Sequence, residues 1–347
     1  MHLLEPLLML ALRGRLPVLL LFTAALYLAL TYLPLTPSNL PSLSTNNHDP
    51  HHHKPSSIPL KIWQTWHTPL PQLPSSETSL IQTWHVQNPS HRYELLTDTS
   101  ASTYISAHFS SSDEDRHLRD TYLNLTDPIL RADFLRYLVL LADGGVYADL
   151  DVECRVPIAE WIPPAFQAQG NSVGVVVGIE SDRPPVENDV KLYHDHRTHI
   201  WGVTNWTFAA KRGHALFRSV ANAVANNLHE LARKQGRELG SIESSYNDVI
   251  LATGPRAFSN AFLAYLAQVE GKGVTGMDLS MLEEPKRVGG DVLVLPIRAF
   301  SVAEAEREGV QGAARSVGWR SLVFHWSRGS WKGSHYMKGE GEEGGSR

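Results

Sequence analysis

The most informative stretch of this chain is residues 127–153, DPILRADFLRYLVLLADGGVYADLDVE. Asp127 followed by Pro128 is typical of a helix start, because the carboxylate caps free backbone N–H groups and proline fits the first helical position. The next residues carry apolar side chains at helical spacing, and Gly144 with Gly145 supplies the left-handed turn that ends a helix. The stretch therefore predicts a helix, a tight turn and then an extended segment over residues 146–152.

Two carboxylates lie at the end of that extended segment. Residues i and i+2 of a strand face the same side, so Asp149 and Asp151 are predicted to converge while Leu150 turns into the core. Two hard oxygen ligands at a strand end suit Mg²⁺ or Mn²⁺ held together with substrate phosphates. On the helix, Asp133 and Arg136 share a face. Asp133 is predicted to bind ribose hydroxyls and Arg136 to bind phosphate.

Neither pair is specific when taken alone. A bare D-x-D pair is usually solvated, and an acid and a base three residues apart on a helix most often form a surface ion pair. Two features favour a functional interpretation. The acids follow the helix and the Gly-Gly turn at a short, fixed spacing, and the charged side chains interrupt a stretch that otherwise has the composition of a core.

The rest of the chain alternates between short apolar segments and helical segments. Strands are predicted at residues 58–66, 91–96, 171–179, 201–208 and 291–297, and helices at 78–86 and 213–233. The polar, acidic residues 110–120 are predicted to form a loop. Strands that alternate with helices indicate an α/β fold with a mixed, mostly parallel sheet flanked by helices.

The N-terminal region predicts a membrane anchor. Residues 16–35 are uncharged and apolar, and Arg13 and Arg15 precede them. A helix of that length, at about 1.5 Å per residue, spans the roughly 30 Å hydrocarbon core. The basic residues on the N-terminal side predict a cytoplasmic N-terminus and a lumenal remainder, the single-pass type II arrangement. A cleaved signal peptide is the alternative, although the apolar run is long for one and no small-x-small cleavage site follows.

Composition sets the remaining boundaries. Residues 1–35 are predicted to be a cytoplasmic tail and transmembrane signal anchor, 36–57 a flexible stem, 58–338 the folded domain and 339–347 a disordered tail. The net charge of −5 argues against nucleic acid as a partner, since binding to phosphates needs a basic face. The one cysteine, Cys154, excludes an intramolecular disulfide and a zinc site built from cysteines, and it is predicted to be a small buried residue.

The central motif resembles a known signature. The pattern R-x-D-x-x-R-Y followed by G-G-x-Y-x-D-x-D resembles the nucleotide-sugar signature of the DXD sugar-binding glycosyltransferases. The nearest resemblance is to the fungal initiation-specific α-1,6-mannosyltransferase group, which also includes the inositolphosphorylceramide mannosyltransferases. The resemblance extends in order over residues 58–335, through five further segments: PLKIWQTW at 59–66, QNPSHRYELLTD at 87–98, NWTFAAKRGH at 205–214, ATGP at 252–255 and GSWK at 329–332.

This resemblance implies a GT-A type α/β fold and retaining transfer of mannose from GDP-mannose to a glycan acceptor in the Golgi lumen. It makes residues 58–338 a glycosyltransferase domain whose partners are a nucleotide-sugar donor, a glycan or glycolipid acceptor and the membrane. Donor binding is implied for six residues: Asp133, Arg136, Tyr147, Asp149, Asp151 and Trp331. The last two aspartates of that set, Asp149 and Asp151, would bind Mn²⁺, with Mg²⁺ possible, and the diphosphate.

The C-terminal run departs from the family pattern. Relatives carry H-H-x-x-G-S-W, whereas this chain has FHWSRGSW at 324–331, with Phe324 in place of one histidine and one residue added. Two interpretations of His325 remain open. It completes the Mn²⁺ ligand set with the two aspartates, or it packs at the edge of the core between Phe324 and Trp326.

Other interpretations of the chain also remain open. An inositolphosphorylceramide mannosyltransferase is the alternative within the family, and no catalytic nucleophile is identified. A metal-dependent phosphohydrolase would also use a D-x-D motif, but its usual Thr or Val two residues on is replaced here by Glu153. A non-catalytic, membrane-tethered homologue is the third possibility. Of two N-glycosylation patterns, Asn124 is the plausible acceptor and Asn205 is predicted to be buried in a strand.

Overall fold

The computed structural model describes residues 57–167, 172–183, 200–302 and 321–328. The predicted anchor at 1–35, the stem up to residue 56, the tail at 339–347 and Trp331 lie outside these residues. Among the described residues, no helix combines the length and the apolar character needed to cross a membrane.

Strands and helices alternate along the described chain, as expected for an α/β fold. The strands are β1 (Lys61–Thr65), β2 (Arg92–Leu96), β3 (Gly145–Ala148), β4 (Val152–Cys154), β5 (Val175–Arg183), β6 (Ile200–Ala210), β7 (Lys286–Val288), β8 (Val292–Leu295), β9 (Phe300–Val302) and β10 (Val323–His325). The helices are α1 (Ser75–Gln87), α2 (Asp98–His108), α3 (Asp113–Asn124), α4 (Pro128–Ala142), α5 (Ala215–Gln235), α6 (Tyr246–Ala252) and α7 (Pro255–Glu270).

The main sheet in the described chain has seven strands in the order β2-β1-β3-β6-β5-β8-β7. Strand β1 is parallel to β2 and β3, and β5 is parallel to β8. Strand β6 lies between β3 and β5 and is antiparallel to both, and the edge strand β7 is antiparallel to β8. The sheet is therefore mixed, as predicted. Five of the seven strands run in one direction, and β6 and β7 run in the other. Three of the six strand pairings are parallel and three are antiparallel.

A second sheet of three strands, in the order β4-β10-β9, lies beyond the end of β3. Strand β10 is antiparallel to β4 and parallel to β9, and its register places His325 opposite Val152. This pairing brings the C-terminal segment 321–328 beside the residues that follow β3. It therefore joins parts of the chain that are far apart in sequence.

The two faces of the main sheet bury different layers. Alternate strand residues such as Trp63, Tyr147 and Val177 pack into the larger core, which is formed with helices α2 to α7. Their neighbours in sequence, such as Val146, face the smaller core with α1 and the three-stranded sheet. This two-residue alternation is the expected result of a sheet covered on both faces.

Helix α4 and the turn after it form as the sequence predicts. The Asp127 carboxylate accepts a hydrogen bond from Ile129 N–H at 3.0 Å, and Pro128 occupies the first turn. Gly144 and Gly145 adopt φ values of 70° and 105°, in the left-handed region. A Cβ on Gly145 would lie 2.5 Å from the Lys61 carbonyl oxygen, so only glycine lets β3 approach β1 here.

The prediction of a loop at residues 110–120 is wrong, because helix α3 occupies Asp113–Asn124. The Ser112 side chain accepts a hydrogen bond from Asp115 N–H at 3.0 Å and caps the helix. Acidic residues in the first turn are favoured by the helix dipole, so the feature interpreted as loop-like stabilises the helix instead. Leu118 and Tyr122, four residues apart, bury the apolar stripe.

Candidate functional site

Asp149 and Asp151 lie in a turn, not at the end of a strand as predicted. Strand β3 ends at Ala148 and β4 begins at Val152, whose N–H donates to the Asp149 carbonyl oxygen at 3.1 Å. The chain turns here to leave the main sheet and enter the three-stranded sheet. The turn still brings the two carboxylates together, and Leu150 between them is buried as predicted.

His325 joins the two aspartates from the C-terminal strand β10. Asp149, Asp151 and His325 each offer one ligand atom, and these three atoms lie within 4.8 Å of one another. His325 Nε2 is 3.1 Å from Asp151 Oδ1, and Arg328 N–H donates to Asp151 Oδ2 at 3.0 Å. The histidine ring stacks on Trp206 with centroids 4.6 Å apart. It therefore does not lie between its two aromatic neighbours in sequence.

Arg136 fixes the position of Asp149 from helix α4. Its Nη2 lies 3.3 Å from Asp149 Oδ1 and 2.9 Å from Asp133 Oδ1, and its Nη1 donates to the Asn205 carbonyl oxygen at 2.8 Å. Asp133 and Arg136 are only 4% and 6% exposed. The pair is therefore a buried ion pair, not the surface pair that its spacing would most often produce.

The second oxygen of Asp133 accepts a hydrogen bond from Thr253 Oγ1 at 2.9 Å. Both carboxylate oxygens of Asp133 are thus engaged within the protein, one by Arg136 and one by the threonine of the ATGP segment. These contacts indicate that Asp133 orients Arg136. Direct contact between Asp133 and a donor stays a prediction.

Strands β1 and β3 hold Asp149 from the opposite side. The buried Tyr147 hydroxyl donates to Asp149 Oδ1 at 2.7 Å and lies 3.2 Å from Thr65 Oγ1. Gln64 Nε2 donates to the Asp149 carbonyl oxygen at 2.9 Å, and the Tyr93 hydroxyl donates to Gln64 Oε1. Sequence reasoning did not assign roles to Gln64, Thr65 or Thr253. The signal was present, since all three lie in the short segments that resemble the family.

Electrostatics in the site favour a cation. Burial raises the pKa of Asp149, Arg136 opposes this, and the nearby Asp151 adds repulsion. Burial also acts to raise the pKa of Asp151, but the hydrogen bond and charge of His325 hold that pKa below its ordinary value. Burial would lower the pKa of His325, but Asp151 and Asp149 raise it above its usual value. The two aspartates thus draw positive charge to this point.

The side chains present fit a divalent metal ion. Two carboxylates and one imidazole are a donor set that Mn²⁺ accepts, and Mg²⁺ prefers the oxygens. Arg136 Nε is buried and, within the described chain, has no hydrogen-bond partner. Such an orphaned buried donor is unusual in a folded protein, and it marks Arg136 as a residue whose placement is not explained by hydrogen bonding within the described chain alone.

The other residues singled out in the sequence, Cys154, Asn205 and Asn124, differ in their burial. Cys154 is a free, buried thiol whose Sγ lies 3.4 Å from Asn88 Nδ2, as expected for a packing residue. Asn205 is buried in β6, as predicted, and is thereby unsuited to glycosylation. Asn124 is exposed at the end of α3, so its glycosylation stays a prediction.

Comparisons with known proteins agree with this geometry. A family model described as a glycosyltransferase sugar-binding region containing a DXD motif matches residues 74–167, which include both aspartates. The initiation-specific alpha-1,6-mannosyltransferase of Candida albicans is 30% identical over 294 residues, covering 79% of this chain and 72% of its own length.

The corresponding enzyme of Schizosaccharomyces pombe is 30% identical over 277 residues, covering 80% of this chain. This chain spans 64% of the length of that relative, just under two thirds. Among solved structures, the match to the PaToxG glycosyltransferase covers 62% of this chain and 72% of that chain, at 14% identity and a TM-score of 0.38. The phosphohydrolase alternative finds no support in these matches. The chain belongs to the initiation-specific alpha-1,6-mannosyltransferase family, within the glycosyltransferases that contain a DXD sugar-binding region.

Proposed function

We propose that this protein is a metal-dependent, retaining mannosyltransferase that moves mannose from GDP-mannose to a glycan acceptor. The observation that carries the proposal is the convergence of Asp149, Asp151 and His325 within 4.8 Å, in a chain of a mannosyltransferase family. The positive charge of Arg136 beside Asp149 supports a donor that carries negative charge. The domain boundaries 58–338 and the donor role of Trp331 are part of this proposal.

In this proposal Asp149, Asp151 and His325 hold the metal ion. A divalent ion bound there would neutralise negative charge on the departing diphosphate. The protein's own contribution is preorganisation: Arg136 and Tyr147 fix Asp149 Oδ1, and the β4–β10 pairing fixes His325 against Asp151. Groups held in place before the reaction need no reorganisation as charge develops, which is the main source of electrostatic catalysis.

Donor contacts are proposed for the other assigned residues. Arg136 would act on the diphosphate through its positive charge, which lies beside Asp149. Tyr147 and Asp133 would act mainly through the side chains that they orient, since both are buried and engaged within the protein. The proposal thus separates residues that contact the donor from residues that position them.

The acceptor class has two candidates. The alpha-1,6-mannosyltransferase relatives cover most of this chain and favour a glycan acceptor. The mannosyl phosphorylinositol ceramide synthase SUR1 of Saccharomyces cerevisiae is 34% identical over 123 residues, or 35% of this chain, and makes a glycolipid acceptor the second candidate. We further propose that residues 16–35 anchor the protein as a single-pass type II protein of the Golgi membrane, with the catalytic domain in the lumen.

The test is a donor and acceptor screen on the full chain in detergent with Mn²⁺. GDP-mannose, other GDP-sugars and UDP-sugars are offered with a high-mannose glycan or with inositolphosphorylceramide, and sugar transfer and nucleotide release are measured. Transfer from GDP-mannose to the glycan supports the proposal, and transfer to the lipid alone replaces the acceptor. If the protein shows no sugar transfer and no hydrolysis of any donor, the proposed enzymatic function is contradicted.

A further inference from the structure

Glu180 is a carboxylate placed beside the site that the mechanism above does not use. It follows the apolar residues of β5, where Val175, Val177 and Ile179 face the larger core. The register of β5 against β6 shifts on both sides of Ile179, so the contact of Glu180 with Trp206, a residue of the smaller core, is what places its side chain on that face. Its Oε1 accepts a hydrogen bond from Trp206 Nε1 at 2.9 Å.

Trp206 connects Glu180 to the metal-binding cluster. The indole ring stacks on His325, and the backbone carbonyl of Trp206 accepts a hydrogen bond from Asp149 N–H at 2.8 Å. One residue of β6 therefore fixes the Glu180 carboxylate, the histidine ring and the backbone of Asp149 relative to one another. Groups carried on sheet strands are positioned more rigidly than groups carried on loops.

The second carboxylate oxygen of Glu180 has no partner among the described residues. No Lys, Arg or His of the described chain forms an ion pair with Glu180, and the one hydrogen bond of its carboxylate goes to the indole. Glu180 also lies outside the group of ligand atoms formed by Asp149, Asp151 and His325. Burial raises the pKa of Glu180, and the charges of His325 and Arg136 act against this rise without forming an ion pair with it. An acceptor for the indole N–H could equally be a neutral amide. The negative charge therefore needs a separate reason.

We propose, on the basis of the mannosyl transfer proposed above, that the Glu180 carboxylate faces the transferring sugar and stabilises positive charge at its anomeric carbon. In transfer, the bond from that carbon to the phosphate oxygen breaks and its electron pair leaves with the nucleoside diphosphate. The acceptor oxygen forms the new bond, and its proton passes to the departing phosphate oxygen. Glu180 neither gains nor loses a proton; its charge lowers the energy of the oxocarbenium-like state between the two bonds.

The sugar is bonded directly to the diphosphate, so a site that holds the diphosphate at the aspartates places the sugar next to them. Glu180 interacts electrostatically with Asp149 and His325 but lies outside the group of ligand atoms, so in this proposal it acts beside the metal ion without binding it. The carboxylates therefore have two different proposed roles. Asp149 and Asp151 would bind the leaving group through a cation, and Glu180 would act on the sugar.

The test compares Glu180→Gln with the full-length wild-type protein. The amide oxygen of glutamine still accepts from Trp206 Nε1, so only the charge is removed. We expect kcat for mannosyl transfer to fall about 10²-fold or more, with KM for GDP-mannose, the Mn²⁺ half-saturation point and the melting temperature nearly unchanged. Asp182→Asn, which removes a charge from the same strand outside the site, is the control and should keep its kcat.

A decrease in kcat of less than tenfold for Glu180→Gln would overturn the proposal. A loss that comes with a matching rise in the Mn²⁺ half-saturation point would also overturn it, because Glu180 would then be a metal ligand. If Glu180→Gln does not fold, Glu180→Asp is measured instead. The shorter side chain keeps the negative charge but moves it away from the proposed sugar position, so a kcat equal to that of the wild type would count against the inference. An inactive wild-type protein would contradict the mannosyl transfer itself.

Discussion

Replacing Arg136 by methionine tests the buried network behind the site. The guanidinium contacts the carboxylates of Asp133 and Asp149 at 2.9 and 3.3 Å and is only 6% exposed. Methionine fills much of the same volume but leaves Asp133 as a buried carboxylate without a cation. Removing one partner of a buried ion pair costs about 3–5 kcal/mol, because the remaining charge stays desolvated. The melting temperature should therefore fall by on the order of 10 °C.

Arg131→Met is the matched control for this prediction. Arg131 lies on the same helix, but its guanidinium donates to neutral oxygens, the Leu125 carbonyl and Ser102 Oγ. We expect it to cost about 1–2 kcal/mol. Urea unfolding of the full chain in detergent gives both values. The double variant Asp133→Asn Arg136→Met should lose less than the sum of the single variants, with a coupling of about 1–3 kcal/mol. Equal losses for Arg136→Met and Arg131→Met would show that the ion pair with Asp133 contributes no more than the neutral hydrogen bonds of Arg131.

Two further predictions concern acid stability and the role of His325. Hydrogen bonds from His214 and Lys211 outweigh burial and lower the pKa of Asp291 to about 2. This carboxylate therefore stabilises the fold above its unfolded pKa of about 4, and that contribution is lost as the pH falls toward 2. Asp291→Asn should flatten the dependence of the free energy of unfolding on pH over that interval. An unchanged dependence would refute this role of Asp291. His325→Ala should raise the Mn²⁺ half-saturation point at least about tenfold, since one of three ligand atoms is lost; an unchanged point would remove His325 from the site.

The local part of the site could be predicted from the sequence because its determinants are local. The cap at Asp127, the apolar spacing of α4 and the two glycines after it specify a helix, a stop and a change of direction within one segment. The convergence of Asp149 and Asp151 was predicted correctly from the wrong geometry. The strand period and a tight turn both bring residues i and i+2 together, so the pattern did not distinguish them.

The burial of Arg136 could not be predicted in the same way. Its spacing from Asp133 is equally compatible with a solvated surface, and only the packing of β6 and α6 over α4 removes water from the pair. Thr253 and Asn205 approach Arg136 from positions that are distant in sequence. Such contacts depend on strand order, and the antiparallel insertion of β6 between β3 and β5 has no marker in the pattern of the chain.

Helix α3 shows how a local rule can mislead. A cluster of acidic residues after serines was interpreted as a loop because such side chains are rarely buried. The same residues at a helix N-terminus are favoured by the dipole, and Ser112 caps them. The apolar residues that decide between the two interpretations, Leu118 and Tyr122, lie near or beyond the end of the segment predicted as a loop.

Mannose transfer is proposed to depend on Asp149 and Asp151. The most direct measurement is mannose transfer from GDP-mannose by the full-length double variant Asp149→Asn Asp151→Asn with Mn²⁺, beside its circular dichroism spectrum. Glu153→Gln, the next acidic residue along the chain, is the control. We predict that the double variant keeps the wild-type spectrum and loses transfer by about 10²-fold or more, because charge on the leaving diphosphate is no longer neutralised. A folded double variant that still transfers mannose at the wild-type rate would show that neither aspartate is needed for transfer.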